Sequence, residues 1–226
     1  MTEPVTYELT AGVATITMDD GKVNVMSPTM LAGLADAFAR ARADGAVTIL
    51  TGRSAVFSAG YDMAVFDRPI EEIAATIRTG GELVEQILSH PLPVIAACNG
   101  HAVAQGAFVL LACDVRIGVR GGARIGLNEV AIGLTIPLYG VEVARHQLSP
   151  AWFDHATLTG TLYTPDEAAS AGFLHELVDT SALEDIARDH ARRLADLDMA
   201  AQAGTKARVR RAALDAIRQG LAEEFG

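Results

Sequence analysis

The segment of residues 94–106, VIAACNGHAVAQG, decides which class of fold this sequence predicts. Its first residues, Val94 to Ala97, form a short continuous apolar run, which is typical of a buried strand. Cys98-Asn99-Gly100 predicts a turn, and a loop of small residues then leads into a predicted helix over Ala107 to Ala112. A buried strand followed by a helix is the repeating unit of an α/β fold.

The same order of strand and helix recurs on both sides of this segment. Alternation around a turn at Thr10-Ala11-Gly12 predicts a hairpin, and Ser27-Pro28 is a good helix start. We predict mostly parallel strands joined by right-handed crossovers, and a helical layer over roughly the last fifty residues. In chain order, the predicted elements are a hairpin over 5–18, a helix over 28–45, a strand over 47–50, a loop over 51–62, a helix over 70–87 that breaks or bends near Gly80-Gly81, the segment above, a strand over 115–119, a short extended stretch over 124–126, and helices over 183–194 and 209–225.

The composition excludes several classes of protein. Hydrophobic residues make up 50% of the 226 residues and charged residues 20%, so a sizeable core is available. The formal net charge is −10, which repels phosphate backbones and argues against nucleic-acid binding. The longest apolar stretch, Val94 to Cys113, is interrupted by Asn99, His101 and Gln105, so we expect no membrane span.

Cys98 and Cys113 are the two cysteines of the chain, and both lie in apolar segments without CxxC spacing. We interpret them as buried reduced thiols, which fits a cytoplasmic location. The polar segment Met1 to Thr10 lacks the basic and apolar regions of a signal peptide. We find no metal-ligand cluster, no P-loop and no GxGxxG motif in the sequence, so we expect neither a metal nor a nucleotide cofactor.

Two predicted strand-to-helix loops contain residues that can bind a ligand through the main chain. They are Phe57 to Asp62, FSAGYD, and Asn99 to Gly106, NGHAVAQG. Small residues let a ligand approach the backbone closely, and Gly60 and Gly106 can adopt angles closed to other residues. The second loop runs into a helix, so its amides carry partial positive charge. Two such amides can stabilise an oxyanion or enolate, although both loops are also consistent with plain tight turns.

A third segment, residues 126–137, places the single acid Glu129 in an otherwise apolar run, GLNEVAIGLTIP. Such surroundings partly desolvate a carboxylate, which raises its pKa and suits it to proton transfer. The alternative is a glutamate at a helix start, whose carboxylate accepts hydrogen bonds from backbone amides.

In this order and spacing, FSAGYD, NGHAVAQG with the following Ala112-Cys113-Asp114, and IGLNEVAIGLTIP resemble the crotonase superfamily, the enoyl-CoA hydratase/isomerase family. The resemblance runs from about Val5 to Phe225. It implies a crotonase-like (ClpP/crotonase) α/β fold, a spiral of ββα units with a helical C-terminal region. It also implies acyl-CoA thioester substrates, no cofactor apart from the coenzyme A that is part of the substrate, and assembly as a homotrimer or a dimer of trimers.

The resemblance further implies how the chain and its site are divided. Residues 1–175 would form the ββα core with the active site, and residues 176–226 a helical region that packs on the core and in the oligomer. The oxyanion hole would use the backbone amides of Tyr61 and Gln105, and Glu129 would be the acid–base group. The residues implied in contacts with the substrate and its CoA are Ala59, Gly60, Tyr61, Asp62, Lys22, Gly106, Phe108 and Lys206.

One departure from the family pattern bears on the reaction. Two-acid hydratases carry their first glutamate three residues after the oxyanion-hole glycine; that position is Phe108 here, and Gln105 replaces the glycine. Adding water calls for two groups, whereas shifting a double bond needs a single base. The residues therefore favour isomerisation of 3-enoyl-CoA to 2-enoyl-CoA in fatty-acid metabolism. Hydration of 2-enoyl-CoA, hydrolysis or decarboxylation of another acyl-CoA, and acyl-CoA binding without turnover remain alternatives.

Other polar and aromatic residues carry weaker predictions. We expect His101 to be a scaffold residue, Asp62 to cap the next helix and Asp114 to anchor a turn. Tyr139, Trp152 and Phe153 either line the acyl pocket or pack the helices. Arg53, Arg208, Arg210 and Arg211 join Lys22 and Lys206 as candidate partners for the CoA phosphates.

Overall fold

The computed structural model describes residues 3–226 of the chain. Met1 and Thr2 lie outside the described residues. Both belong to the N-terminal segment that lacks a signal-peptide pattern, and to the core predicted over residues 1–175. The strands are β1 (Val5–Thr10), β2 (Val13–Met18), β3 (Val25–Met26), β4 (Val47–Gly52), β5 (Ala55–Ser58), β6 (Gly60–Tyr61), β7 (Val94–Cys98), β8 (Gly100–Val103), β9 (Val115–Val119), β10 (Ile125–Gly126), β11 (Leu162–Tyr163) and β12 (Glu176–Val178). The α-helices are α1 (Pro28–Ala43), α2 (Ile70–Leu88), α3 (Gln105–Ala112), α4 (Leu138–Gln147), α5 (Pro150–Leu158), α6 (Pro165–Ala171), α7 (Leu183–Ala195) and α8 (Met199–Phe225), and short 3-10 helices cover Met63–Asp67, Glu129–Ile132 and Thr180–Ala182.

Most strands belong to two sheets that the chain visits in turn. The first sheet has the order β1-β2-β4-β7-β9-β12 and is parallel except for the predicted β1–β2 hairpin. The second has the order β11-β10-β8-β5, with β10 and β11 antiparallel, and β3 pairs separately with β6. The consecutive pairs β4–β5, β7–β8 and β9–β10 each place one strand in either sheet, and α2 and α3 follow the first two pairs. The predicted α/β class and its ββα units are confirmed.

Helices cover both faces of the first sheet because side chains alternate between the faces along each strand. Leu50 and Ala96 point into the main core, which α1, α2 and α3 help to form. Their neighbours Ile49 and Ile95 lie in a second core, against α7. Cys98 and Cys113 are buried and unpaired, as predicted.

Two corrections concern segments that the sequence pattern assigns to turns and loops. The predicted loop over 51–62 contains β5 and β6, and the predicted turn and loop over 98–106 contain β8. The small residues that suggested loops instead allow two backbones to meet, since a Cβ on Gly52 or Gly100 would overlap the backbone of β5. Glycine thus marks a close approach between strands here, rather than the end of a strand.

The helix α2 runs without a break through Gly80-Gly81, where we predicted a break or bend. Both glycines allow close packing. A Cβ on Gly80 would overlap the Tyr61 hydroxyl, and a Cβ on Gly81 would lie 2.5 Å from Leu221 Cδ2 and 2.7 Å from Tyr139 Cδ1. The predicted break is therefore wrong, because these glycines serve tertiary contacts of an intact helix.

The C-terminal region consists of α7, α8 and one strand. β12 pairs with β9 at the edge of the first sheet, so the prediction of a nearly all-helical region is wrong at 176–178. α8 is 27 residues long and packs along α2 and α4. Its packing in an oligomer stays a prediction. No helix within residues 3–226 is both long enough and apolar enough to cross a membrane.

Candidate active site

The two loop segments that we predicted to hold a substrate carbonyl lie against each other. Gly60, in β6, has φ +91°, a conformation that favours glycine. A Cβ at this position would lie 2.9 Å from Ala104 Cβ, 3.0 Å from the Val103 carbonyl oxygen and 3.6 Å from the Gln105 nitrogen. The missing side chain at Gly60 therefore lets β6, which ends at Tyr61, sit next to the start of α3.

A second glycine, Gly106, permits the same approach from the side of α3. A Cβ on Gly106 would lie 2.7 Å from both the Cβ and the carbonyl oxygen of Ser58. The buried Ser58 hydroxyl donates to the Asn24 carbonyl at 2.7 Å and accepts from the Gly60 amide at 3.2 Å. The two loops are thus interlocked, which is more than two independent tight turns require.

Gln105 stands where the family resemblance calls for glycine, yet the unusual backbone angles fall one residue earlier. Ala104 has φ +51° and ψ −124°, whereas Gln105 is the first residue of α3. Residues with side chains rarely adopt such angles, and strained backbone of this kind clusters at functional sites. The backbone amide of Gln105, at the first helical position, has no acceptor within the helix and is available to a ligand.

Glu129 begins the 3-10 helix that follows β10, and its side chain turns inward. The residue is 6% exposed, and its Oε2 atom is buried without a hydrogen-bond partner among the described residues. Burial raises the pKa of Glu129 to about 7, although its own backbone amide opposes this shift. An ordinary helix-start glutamate would have its oxygens satisfied by backbone amides, so the orphaned oxygen favours the proton-transfer interpretation.

A cavity of about 380 Å³ connects the loops with Glu129. Ala59 and Tyr61 line it from one loop, Ala104 from the other, and Glu129 from a third side. The other lining residues are Met63, Phe66, Ile77, Phe108, Asn128, Ile132, Leu134, Thr135 and Pro137. Within residues 3–226, Glu129 is the only carboxylate on these walls, and no Lys, Arg or His lines them. The cavity is apolar, with one group that can exchange a proton at neutral pH.

The predicted substrate-contact residues divide between the cavity and its supports. Ala59, Tyr61 and Phe108 line the cavity, while Gly60 and Gly106 lie at the contact between the loops. Asp62 caps the 3-10 helix that begins at Met63, as predicted for a cap, and its Oδ1 accepts from the Ala64 amide at 3.0 Å. Lys22 is exposed, and its contact with CoA stays a prediction.

Lys206 requires a correction, because its ammonium group is engaged inside the protein. Lys206 Nζ lies 2.7 Å from Asp114 Oδ2 and donates to the Leu92 carbonyl at 3.2 Å. Arg210 pairs with the other oxygen of the same carboxylate at 3.0 Å. Burial lowers the pKa of Lys206. Lys206 and Arg210 thus attach α8 to the starts of β7 and β9, and we remove both from the candidate phosphate ligands.

Asp114 anchors more than the turn that we predicted. Its Oδ2 also accepts from the Val94 amide at 2.7 Å, so one carboxylate joins the start of β7 to α8. His101 is exposed, and its Nδ1 accepts from the Arg124 amide at 3.1 Å, which confirms a scaffold role.

The sequence left three aromatic residues as either pocket-lining or packing residues, and the structure shows that all three pack. Tyr139 is fully buried next to Phe108, with ring centroids 5.8 Å apart. Trp152 packs edge-on against Tyr163. The Arg145 guanidinium lies over the Phe153 ring, with its Cζ 4.5 Å from the Phe153 ring centroid. None of these three lines the cavity.

Sequence reasoning missed the cavity walls contributed by Met63, Phe66 and Ile77. Ile77 belongs to the apolar stripe of α2, which is indistinguishable in sequence from residues that pack in a core. Met63, 59% exposed, follows FSAGYD directly, and that adjacency was the available signal. Among residues 3–226, no group of three or more His, Cys, Asp or Glu is placed to hold a metal ion.

Comparison with known proteins shows which family and fold this chain resembles. The family model described as enoyl-CoA hydratase/isomerase matches residues 8–225. A crystal structure of an enoyl-CoA hydratase/isomerase family protein from Pseudomonas syringae is 40% identical, with 97% of this chain and 96% of that chain covered, at a TM-score of 0.95. The likeness confirms the crotonase-like fold over nearly the whole chain.

Relatives with more specific descriptions carry different reactions in their names. The apo structure of an enoyl-CoA isomerase from Mycobacterium tuberculosis is 37% identical, covers 98% of this chain and 97% of its own, and has a TM-score of 0.94. The (E)-benzylidenesuccinyl-CoA hydratase of Thauera aromatica is 34% identical over 85% of this chain and 76% of its own length. Similar degrees of identity thus connect the chain to a named isomerase and to a named hydratase.

Proposed function

This chain belongs to the enoyl-CoA hydratase/isomerase family, and we propose that its reaction is the shift of a double bond in an acyl-CoA thioester, from 3-enoyl-CoA to 2-enoyl-CoA. The observation that carries the proposal is that one carboxylate, from the part of the chain that the structure describes, lines the cavity. The wall contains Phe108 where a two-acid hydratase would place its first glutamate, so among residues 3–226 no second acid joins Glu129 on the lining.

In the proposed reaction, the thioester oxygen accepts hydrogen bonds from the backbone amides of Tyr61 and Gln105. These donors make the C2 protons of the substrate acidic, because negative charge develops on the oxygen when a proton leaves. The Glu129 carboxylate takes one proton from C2, and the electrons move into the carbonyl to form a dienolate. The same carboxyl group returns the proton at C4, which leaves the double bond between C2 and C3.

The proposed chemistry is balanced without a further component. One proton leaves and returns, and no electrons are exchanged with an outside partner, so the reaction needs no cofactor beyond the CoA of the substrate. A pKa of about 7 suits Glu129 to this task, because a base poised near the working pH can both accept and return a proton.

The apolar lining of the cavity favours a substrate with an uncharged acyl group. Apart from Glu129, the lining is mostly aliphatic and aromatic, and no cation on it could offset a second substrate carboxylate. Burying an unpaired charge there would be strongly unfavourable. An apolar fatty acyl chain is the substrate class we propose, in keeping with fatty-acid metabolism.

Hydration of 2-enoyl-CoA is the second candidate, and the similarity to the Thauera hydratase favours it. In that case Glu129 alone would activate a water molecule for addition at C3. The two reactions leave different products, because hydration yields a 3-hydroxyacyl-CoA and isomerisation yields none.

The experiment offers 3-hexenoyl-CoA and 2-hexenoyl-CoA separately to the wild type, to Glu129→Gln and to the control Glu71→Gln, which changes an exposed glutamate in the first turn of α2. We expect the wild type and Glu71→Gln to convert 3-hexenoyl-CoA without adding water. Glu129→Gln should lose about 10² or more in kcat, the scale of general-base catalysis.

Product analysis separates the candidates. Accumulation of 3-hydroxyhexanoyl-CoA from 2-hexenoyl-CoA would replace isomerase by hydratase. Binding of both thioesters without turnover would instead indicate an acyl-CoA-binding protein. A homotrimer or a dimer of trimers, a cytoplasmic location and a contact of Lys22 with CoA remain predictions.

A further inference from the structure

A buried hydrogen-bond network joins the side chains of the two residues whose amides we assign to the oxyanion hole. Tyr139 Oη donates to Gln105 Oε1 at 2.8 Å, and Tyr61 Oη lies 2.8 Å from Tyr139 Oη. A hydroxyl has one hydrogen, and Tyr139 uses it on Gln105, so the hydrogen between the two tyrosines comes from Tyr61, which shares it with the Ile77 carbonyl. Gln105 Nε2 completes the network by donating to the Gly80 carbonyl at 2.8 Å.

The network is assembled from four separate segments of the chain. Tyr61 belongs to β6 and Gln105 to α3, while Tyr139 belongs to α4 and the Gly80 carbonyl to α2. A Cβ on Gly80 would overlap the Tyr61 hydroxyl and lie 2.9 Å from Gln105 Nε2, so only glycine lets α2 come this close. Tyr61 Oη also lies 3.2 Å from the Ile77 carbonyl, a second contact with α2.

Burial makes the geometry of this network strict. Gln105 and Tyr139 are both 0% exposed, so neither can exchange a lost protein partner for bulk water. Desolvation raises the pKa values of Tyr61 and Tyr139 above the usual phenol value, and both hydroxyls stay protonated at neutral pH. The donors and acceptors therefore keep their roles across the pH range in which Glu129 titrates.

We propose that Tyr139 is a positioning residue, whose hydroxyl fixes the Tyr61 and Gln105 backbone amides relative to each other by holding their side chains. The inference rests on the proposed function, since it assigns those two amides to the substrate oxygen. The hydrogen bonds hold the far ends of the two side chains, and fixing these ends limits how each residue can turn about its backbone and so the direction of its N–H. Tyr139 does not line the cavity and touches no reacting atom.

The test compares Tyr139→Phe with Tyr163→Phe. Phenylalanine keeps the ring that packs on Phe108 and removes only the hydroxyl. Tyr163 is also buried, and its hydroxyl bonds His155 Nδ1 at 2.6 Å, away from the cavity. We expect Tyr139→Phe to lower kcat for 3-hexenoyl-CoA about tenfold with little change in KM, because misaligned donors lose transition-state stabilisation. Tyr163→Phe should keep the kcat of the wild type.

The carbonyl stretch of bound hexanoyl-CoA labelled with ¹³C at the thioester carbon gives a readout that a merely structural role would not move. In the wild type the band should shift to lower frequency on binding, because the amides polarise the carbonyl. The shift should be smaller in Tyr139→Phe and unchanged in Tyr163→Phe. If Tyr139→Phe does not fold, Gln105→Met breaks the same bond from the other side and carries the same expectation.

The outcomes separate this inference from the proposed function. A wild type that neither turns over enoyl-CoA nor shifts the carbonyl band would remove the proposed function, and this inference with it. An active wild type whose kcat and band shift are matched by Tyr139→Phe would overturn only the positioning role. A variant with a lower melting temperature but wild-type kcat and band shift at 25 °C would likewise show that the network stabilises the fold and does not orient the amides.

Discussion

Asp114 and Glu129 both lie largely below the surface of this protein, and their surroundings are opposite. Asp114 is held by Lys206, Arg210 and the Val94 amide, which together satisfy both of its oxygens. Among residues 3–226, no cation lines the cavity wall at Glu129, and one of its oxygens is buried without a hydrogen-bond partner. Burial alone thus defines no role. Asp114, paired with two cations, joins elements of the fold. Burial without a cation raises the pKa of Glu129, which suits it to proton transfer near neutral pH.

The largest effect should follow from removing the paired carboxylate. Asp114→Ala would leave Lys206 and Arg210 buried without their counter-ion, and losing one partner of a buried ion pair costs about 3–5 kcal/mol. We expect the free energy of unfolding, measured in urea, to fall by that amount. The control Asp189→Ala breaks an exposed pair with Arg192 and should change it by no more than about 0.5 kcal/mol. Equal free energies of unfolding for the two variants would show that the ion pairs of Asp114 do not stabilise the fold more than an exposed pair does.

Neutralising the unpaired carboxylate should act in the opposite direction on stability. Burial raises the pKa of Glu129 from 4.5 to about 7, so the native state keeps a proton that the unfolded chain has already lost. Stability is therefore lost as the pH rises from about 4.5 to about 7, and the loss persists above that. At pH 8, Glu129→Gln should be more stable than the wild type by up to about 3 kcal/mol.

Measuring Glu129→Gln at acid pH is the control for the direction of this change in stability. Near pH 4 the wild-type carboxyl is protonated in the folded protein, so the difference in unfolding free energy between Glu129→Gln and the wild type should largely vanish. A variant that is less stable than the wild type at pH 8 would show that Glu129 has a stabilising partner.

The pH dependence of kcat/KM should show one titrating group, the carboxylate of Glu129. As the proposed base, Glu129 must be ionised in the free enzyme, so kcat/KM should rise with pH and level off above about 7. Below that value it should fall about tenfold per pH unit. The residual activity of Glu129→Gln should lack this acid limb. A wild-type profile that is flat between pH 5 and pH 8 would exclude Glu129 as the titrating base.

The smallest effect should come from removing one cation of the paired carboxylate. In Lys206→Met, Asp114 keeps Arg210 and the Val94 amide, and methionine retains most of the buried stem. We expect a loss of about 1 kcal/mol in the free energy of unfolding, well below that of Asp114→Ala. The KM for hexenoyl-CoA should stay unchanged, whereas a tenfold rise would restore Lys206 as a ligand of CoA.

The predictions from sequence succeeded where a long periodic pattern coincides with one structural role. The hairpin, α1, α7 and α8, and the buried strands β4, β7 and β9 follow from apolar spacing, because that spacing reflects the face that each element buries. They failed at β5, β8 and the Gly80-Gly81 pair, where small residues serve contacts between elements. Glycine carries the same local signal in a turn and at a close packing point, so the pattern cannot distinguish the two.

The site shows the same division. The apolar run around Glu129 predicts a desolvated acid, and the structure confirms its burial. The partner of Lys206 could not be predicted, because Asp114 lies 92 residues earlier in the chain. Nor could the Tyr139–Gln105 bond, which joins residues 34 apart on two helices.

The amino-acid sequence was enough to predict the class of fold, the segments that meet at the site, and the presence of one acid with Phe108 in place of a second. These properties reside in the types of residue and their local spacing. Which charges are paired and which side chains hold the loops became apparent from the three-dimensional arrangement of the chain. Ion pairs and buried hydrogen bonds depend on distances of about 3 Å between residues far apart in the chain, and local patterns do not encode such distances.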